Sequence, residues 1–203
     1  MIGLSVPTLA HDVTPPSVAA EALLVARAQH DPANFGPLYE AYFDPIFRYC
    51  FYRLGSAQAA EDAASTVFIR ALEALPRYRP AARAGSFRSW LFTIAHNVVA
   101  NQHRATTRRP IAPLAAASVV PDDHPSPEDY ALARDDVHTI QSLLARLPAE
   151  QRQVVELRLS GLTDQEIAHV LGRSHGAIRT AHYRAVLQLR ALFGAQPGES
   201  SHD

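Results

Sequence analysis

The sequence predicts an all-α fold: two small helical domains joined by a Pro/Ala-rich linker, the second with a helix-turn-helix. Three observations predict it. Apolar residues recur every three or four positions over 31–109 and again over 131–194, and no useful run alternates as a strand would. The segment 110–130, "PIAPLAAASVVPDDHPSPEDY", is rich in proline and small residues and carries no helical period. The stretch "LTDQEIAHVLGRSHGAIRTAHYRAV", from Leu162 to Val186, has the pattern of two short helices around a glycine turn. The boundaries are therefore 1–30, an N-terminal extension whose first 20 or so residues read as a flexible arm; 31–109, the first domain; 110–130, the linker; 131–194, the second domain; and 195–203, a tail.

In the first domain, Phe35, Leu38, Tyr42, Ile46, Tyr49 and Leu54 share a helix face that Pro45 would kink or divide. Ser56 is placed to cap the next helix, whose inner face is Ala60, Ala64, Val67, Phe68, Ala71 and Leu72. Pro76 stops it. Residues 77–85 read as a loop. Ser86 then caps a helix with a stripe of Phe87, Trp90, Leu91, Ile94 and Val98. In the second domain Val137, Ile140, Leu143, Leu144 and Leu147 make the first stripe, and Pro148 opens the next helix, where its missing N–H costs little. Thr163 and Glu166 form a T-x-x-E capping box, Gly172 stands where a helix ends in a left-handed turn, and Ser174 caps the last helix. Ile178, Ala181, Ala185 and Leu189 form the buried seam of that helix. Arg179, Thr180, Tyr183 and Arg184 fall on its other face, and Arg173, Ser174, His175 and Ala177 stand at its start. A polar-faced second helix after a glycine turn fits the major groove of DNA.

Composition bounds the function. With 47% hydrophobic and 19% charged residues the chain is globular rather than disordered. No apolar run approaches the roughly 20 residues of a membrane span, and the N-terminus lacks a basic start and a sustained apolar core, so neither a membrane nor a secretory signal is expected. The single cysteine, Cys50, cannot form an internal disulfide and reads as a small buried thiol among aromatics. These points place the chain in the cytoplasm. Nucleophile–base pairs, phosphate loops and paired catalytic carboxylates are absent, so no enzyme and no cofactor are expected. His96 and His103 stand seven apart with no third ligand, which does not make a metal site.

The net charge is only −1, a poor match to a DNA reader until its distribution is considered. No acid lies between Glu73 and Asp122, a window holding Arg77, Arg79, Arg83, Arg88, Arg104, Arg108 and Arg109. None lies between Glu166 and Glu199, which holds Arg173, Arg179, Arg184 and Arg190. The chain contains no lysine; arginine alone supplies the fixed positive charge, and its planar fork suits phosphate and guanine. Two basic windows, one per domain, imply two phosphate-facing surfaces.

At these residues the chain resembles the bacterial RNA polymerase sigma factors of the extracytoplasmic-function (ECF) type, over roughly Asp31 to Arg190. "AAEDAASTVFIRALEAL" resembles the helix that docks on the polymerase clamp. "GSFRSWLFTIAHNVVANQHRATTRR" resembles the helix that binds the promoter −10 element, and "LPAEQRQVVELRLSGLTDQEIAHVLGRSHGAIRTAHYRAV" the −35-binding domain. The resemblance implies a polymerase-docking and −10-binding first domain and a −35-binding second domain, with no catalysis of its own. It implies Glu61, Asp62, Phe68 and Arg70 on the polymerase side. It implies Arg83, Arg88, Asn97, Asn101, Arg104 and Arg108 toward the −10 strand, where unpaired bases are met by amides and pockets. It implies Arg173, Ser174, His175, Ala177, Arg179, Thr180, Tyr183 and Arg184 toward the −35 duplex. Core RNA polymerase and promoter DNA are the implied partners, and an anti-sigma factor is a frequent one in this family. Free in solution, the two domains are expected to pack together and hide the basic surfaces.

Departures from the family pattern are Ser65-Thr66 for a frequent Gln-Glu, Asn101 for a frequent Asp, and Ala181-His182 for a frequent Arg-Leu. The last would remove a guanine contact worth roughly 1–3 kcal/mol. The alternative function is a helix-turn-helix regulator acting on duplex DNA without polymerase docking. Such a protein would need neither the clamp-like helix nor the first arginine window.

Overall fold

The computed structural model describes residues 16–79, 86–108 and 139–194, and every element among them is a helix. The linker, the loop residue Arg83 and the C-terminal tail lie outside the described residues, as do residues 1–15.

The stretch set aside as an extension contains a helix. α1 spans Val18–His30, is capped by the Ser17 hydroxyl and buries Glu21, Val25 and Ala28 along one edge. Asp31 closes it and caps a short 3-10 turn, Pro32–Phe35, by accepting from the Ala33 N–H at 3.0 Å. α2, Gly36–Leu54, runs uninterrupted through Pro45. An interior proline costs a helix roughly 3 kcal/mol, and burial of Tyr42, Pro45, Ile46 and Tyr49 on this side offsets it. Gly55, at φ +74°, ends α2, and Ser56 caps α3, Ala57–Ala74. Ala60, Ala63, Ala64 and Ala71 let α3 lie close against α2. Leu72, expected on that buried face, is turned outward. α4, Phe87–Arg108, crosses both helices and buries Phe87, Leu91, Phe92, Val98 and Val99.

The second domain comprises α5 (139–145), α6 (Ala149–Leu159), α7 (Asp164–Leu171) and α8 (His175–Gly194). Leu144, Leu147, Val155 and Ala185 form a small core of its own. Val154, Leu157, Leu162, Ile167, Val170, Ile178 and Ala181 instead join a cluster continuous with the first domain. α7 lies against α4, and α6 against α2. The expected packing of the two domains is therefore present. The expected masking of the basic surfaces is mostly not, as the side chains on α4 and α8 show.

Candidate nucleic-acid interface

The helix-turn-helix is assembled by local hydrogen bonds. After α6, Gly161 turns the chain at φ +83° and the Leu162 N–H returns to the Leu157 carbonyl at 3.2 Å. Thr163 Oγ1 accepts from the Glu166 N–H at 3.3 Å while Glu166 Oε2 accepts from the Thr163 N–H at 2.9 Å, completing the capping box. At the far end of α7, Gly172 takes φ +62° and the Arg173 N–H reaches the Ala168 carbonyl at 2.9 Å. The Ser174 hydroxyl caps α8 by accepting from the Ala177 N–H at 3.2 Å. Each bond satisfies a helix-end group that would otherwise need water.

With Ile178 and Ala185 fully buried, the opposite side of α8 faces out. Arg173, Ser174, His175, Ala177, Arg179, Thr180, Tyr183 and Arg184 are all exposed, and Tyr183 keeps 65% of its surface in solvent. One of the arginines is already engaged: the guanidinium of Arg173 pairs with the Glu150 carboxylate on α6. Ala181 is only 7% exposed and belongs to the seam. A base contact is therefore not missing at 181, because a side chain there points at the core; the departure from Arg-Leu alters packing instead.

On α4, Asn97, Asn101 and Arg104 are exposed and succeed one another by four and three positions, which places them on one face. Arg104 donates to Asn101 Oδ1 at 2.8 Å and to the Ala100 carbonyl at 3.3 Å, so amide and guanidinium form one polar unit. Arg108 lies in the last turn of α4. Trp90 packs on the rings of Tyr78 and Phe87, at 4.9 and 5.3 Å between centroids, which makes it part of the wall under the start of α4. Arg88 departs from expectation. Its side chain is covered by the second domain, donating to the Ser160 carbonyl at 3.2 Å and lying 3.8 Å from the Glu166 carboxylate.

The outward face of α3 carries Glu61, Asp62, Ser65, Ile69 and Arg70. Phe68 does not belong to it. It is 5% exposed and meets the rings of Phe35, Tyr39 and Phe43, because a step of one residue past Val67 keeps it within the buried arc. Ile69, 59% exposed, is the apolar residue that this surface presents. Thr66 turns its hydroxyl back to the Asp62 carbonyl at 2.8 Å, so it offers little to a partner.

Two groups beneath the interface escaped the sequence. The Glu21 carboxylate accepts from the Phe87 N–H at 3.0 Å and from the Tyr42 hydroxyl, holding the first turn of α4. Burial, then the Glu21 bond, pushes the Tyr42 hydroxyl far above the ordinary tyrosine range. The only local signal is a lone acid in an alanine-rich helix. The second is the Arg53–Glu156 ion pair at 2.7 Å between α2 and α6. Burial pushes the Glu156 carboxyl up, and the Arg53 charge pulls it back. Around this pair, Tyr49 Oη lies 3.0 Å from His96 Nδ1, and His103 Nε2 lies 3.1 Å from the Arg53 carbonyl. Each histidine thus has its own partner. Among the described residues no three His, Cys, Asp or Glu side chains are grouped to hold a metal. Nor is any described helix long and apolar enough to cross a membrane.

Comparison with known proteins accounts for both halves. Residues 38–109 match the family Sigma-70 region 2, and residues 138–189 match Sigma-70, region 4. The chain is 38% identical over 179 residues to the ECF RNA polymerase sigma factor ShbA of Streptomyces griseus, covering 83% of this chain and 93% of ShbA. It is 37% identical over 171 residues to the ECF RNA polymerase sigma factor BldN of Streptomyces coelicolor, covering 83% of this chain but only 64% of BldN. Its fold is similar to that of CnrH, solved in complex with the cytosolic domain of CnrY, at a TM-score of 0.68 and 24% identity over 87% of this chain and 99% of that one. The chain belongs to the extracytoplasmic-function family of RNA polymerase sigma factors.

Proposed function

We propose that this protein docks on core RNA polymerase and directs initiation at promoters by reading two elements, −10 through α4 and −35 through α8. The observation that carries the reading is the pair of outward polar faces on two domains, Asn97–Asn101–Arg104 on α4 and Arg179–Thr180–Tyr183–Arg184 on α8. Asparagine amides suit unpaired bases, whose Watson–Crick edges are free to bond. An arginine-bearing helix suits a duplex groove, where guanine offers two acceptors to one guanidinium. The exposed acids and Ile69 of α3 supply the docking surface for polymerase, and the linker threads along polymerase between the two elements.

The protein acts in the cytoplasm, where polymerase and promoters are found. An anti-sigma factor is a further partner. Support comes from the solved complexes of similarly folded proteins, CnrH with CnrY and RpoE of Bartonella quintana with the anti-sigma factor NepR. The deciding experiment reconstitutes the protein with core polymerase on genomic DNA and sequences the 5′ ends of the transcripts. Starts at a shared pair of elements are expected; an absence of promoter-dependent transcripts would overturn the reading.

A further inference from the structure

We propose that α1 is a splint: Gln29 and Glu21 tie down the two ends of the segment 79–86, and so act as positioning residues for binding of the −10 strand. The reference to the −10 strand rests on the function proposed above; the ties themselves do not.

Apolar contact is a small part of what α1 contributes. Its buried residues are Val25, Ala28 and the acid Glu21. Its polar contacts, by contrast, converge. Among the described residues, every side-chain hydrogen bond from α1 to another element reaches one end of this segment, or reaches Tyr42, which steadies Glu21 from α2.

At the entry, α3 runs into a 3-10 turn, Leu75–Arg77, that closes at Tyr78. Helix ends leave carbonyls short of partners, and Gln29 supplies them. Its Nε2 donates to the Leu75 carbonyl at 2.9 Å and to the Tyr78 carbonyl at 2.8 Å. The amide nitrogen carries two hydrogens, so both bonds form together. Arg79 folds back on the same turn, donating from Nη1 to the Pro76 and Tyr78 carbonyls at 3.0 Å each.

At the exit, the Phe87 N–H opens α4 and has no acceptor within its own helix. Glu21 Oε1 accepts from it at 3.0 Å, and a carboxylate also suits the positive end of a helix. The two ends then meet. The Tyr78 and Phe87 rings stand edge to face, 5.6 Å between centroids, and Trp90 packs on both. Glu21 and Gln29 lie about two turns apart on one helix, so both ends are fixed to a single rigid element.

Loop closure supplies the functional consequence. Residues 80–85, which include Arg83, lie between the ties and outside the described residues. A segment whose ends are fixed has fewer conformations to lose when a ligand orders it, so less of the contact energy is spent on ordering. The exit tie also holds the first turn of α4, the helix that carries Asn97, Asn101 and Arg104 further along. The splint therefore sets how the segment is presented relative to that polar face.

The test uses the full chain, free and in complex with core polymerase. Gln29→Ala removes the entry tie, Glu21→Ala removes the exit tie, and Glu21→Gln keeps an acceptor for the Phe87 N–H. Circular dichroism establishes that each variant is folded. Hydrogen exchange on the free protein reads the ties: the Tyr78 amide in Gln29→Ala and the Phe87 amide in Glu21→Ala should each exchange roughly 10-fold faster. Binding is read in reconstituted holoenzyme, with a fluorescein-labelled non-template single strand covering the −10 region of a promoter found by transcript sequencing. Gln29→Ala should lower its affinity roughly 3–10-fold, and Glu21→Gln should stay close to the parent. Binding of core polymerase and of −35 duplex should be unchanged in both. Parental exchange at Tyr78 in a folded Gln29→Ala protein would overturn the splint. Faster exchange with unchanged strand affinity, or with core and duplex binding weakened in proportion, would overturn the positioning role. If no promoter is found, the promoter reading fails and the positioning role with it, while exchange still decides the ties.

Discussion

Four arginines show how position changes the meaning of a residue type. Arg179 and Arg184 stand on the open face of α8, Arg173 is already paired with Glu150, and Arg88 is enclosed. Charge reversal at Arg179 or Arg184 is therefore expected to abolish promoter-specific initiation while leaving core-polymerase binding intact. Run-off transcription beside a core pull-down checks this, and normal initiation by the core-bound variant would show that α8 is not the reading helix. Glu21 has no such outward role. Replacing it with alanine strands the buried Phe87 N–H and Tyr42 hydroxyl and should cost about 1–3 kcal/mol. Denaturant titration measures that cost; an unchanged midpoint would mean that water satisfies both groups.

The helix ends were legible because the chemistry that makes them is local. Ser56, Ser86, the Thr163–Glu166 box, Gly172 and Ser174 each act within a few positions of their own backbone, and each is found in the role that its sequence spacing predicts. Thr163→Ala should accordingly cost about 1 kcal/mol by removing the cap of α7, and should weaken −35 duplex binding because α7 sets the angle of α8. Equal stability of mutant and parent in thermal melts would refute the assignment. α1 was not legible, since its inner face is small and mixed: Glu21, Val25 and Ala28 carry too little apolar contrast to mark a helix. Leu72 was misplaced for a related reason, whereas the helix period put Phe68 on the inner face and only the family resemblance turned it toward polymerase. A helix period assigns a face to within about one residue, and only the ring cluster around Phe68 decides which way the edge positions turn.

At the scale of the whole molecule, the domain contact gathers titratable groups that composition scatters: Tyr49 and Arg53 on α2, His96 and His103 on α4, Arg152 and Glu156 on α6. Burial, and then the Arg53 charge, lowers both histidines from their ordinary value of 6.5. The folded protein thus keeps these rings neutral where the unfolded chain has begun to protonate. The unfolded state then binds more protons, so stability is lost as the pH falls through 6.5 and below. Glu156, whose carboxyl is raised, contributes in the opposite sense at lower pH, nearer the carboxylate range. The melting temperature should drop between about pH 7.5 and pH 5.5, and His96→Gln should flatten that dependence. A parent protein whose melting temperature is level across this interval would contradict the burial of these rings.

The sequence by itself determined the all-α class, the helix caps, the glycine turns and the outward face of α8, and through its two arginine windows it indicated a two-site reader. Each of these depends on neighbours within about one turn of helix, where spacing alone sets geometry. Only the tertiary structure decided that Glu156 would find Arg53, that Arg88 would enter the turn at Gly161, and that Glu21 would hold the start of α4. Those partners lie far apart along the chain, and a charge has no preferred distant partner until apolar packing brings two helices together and excludes the water between them.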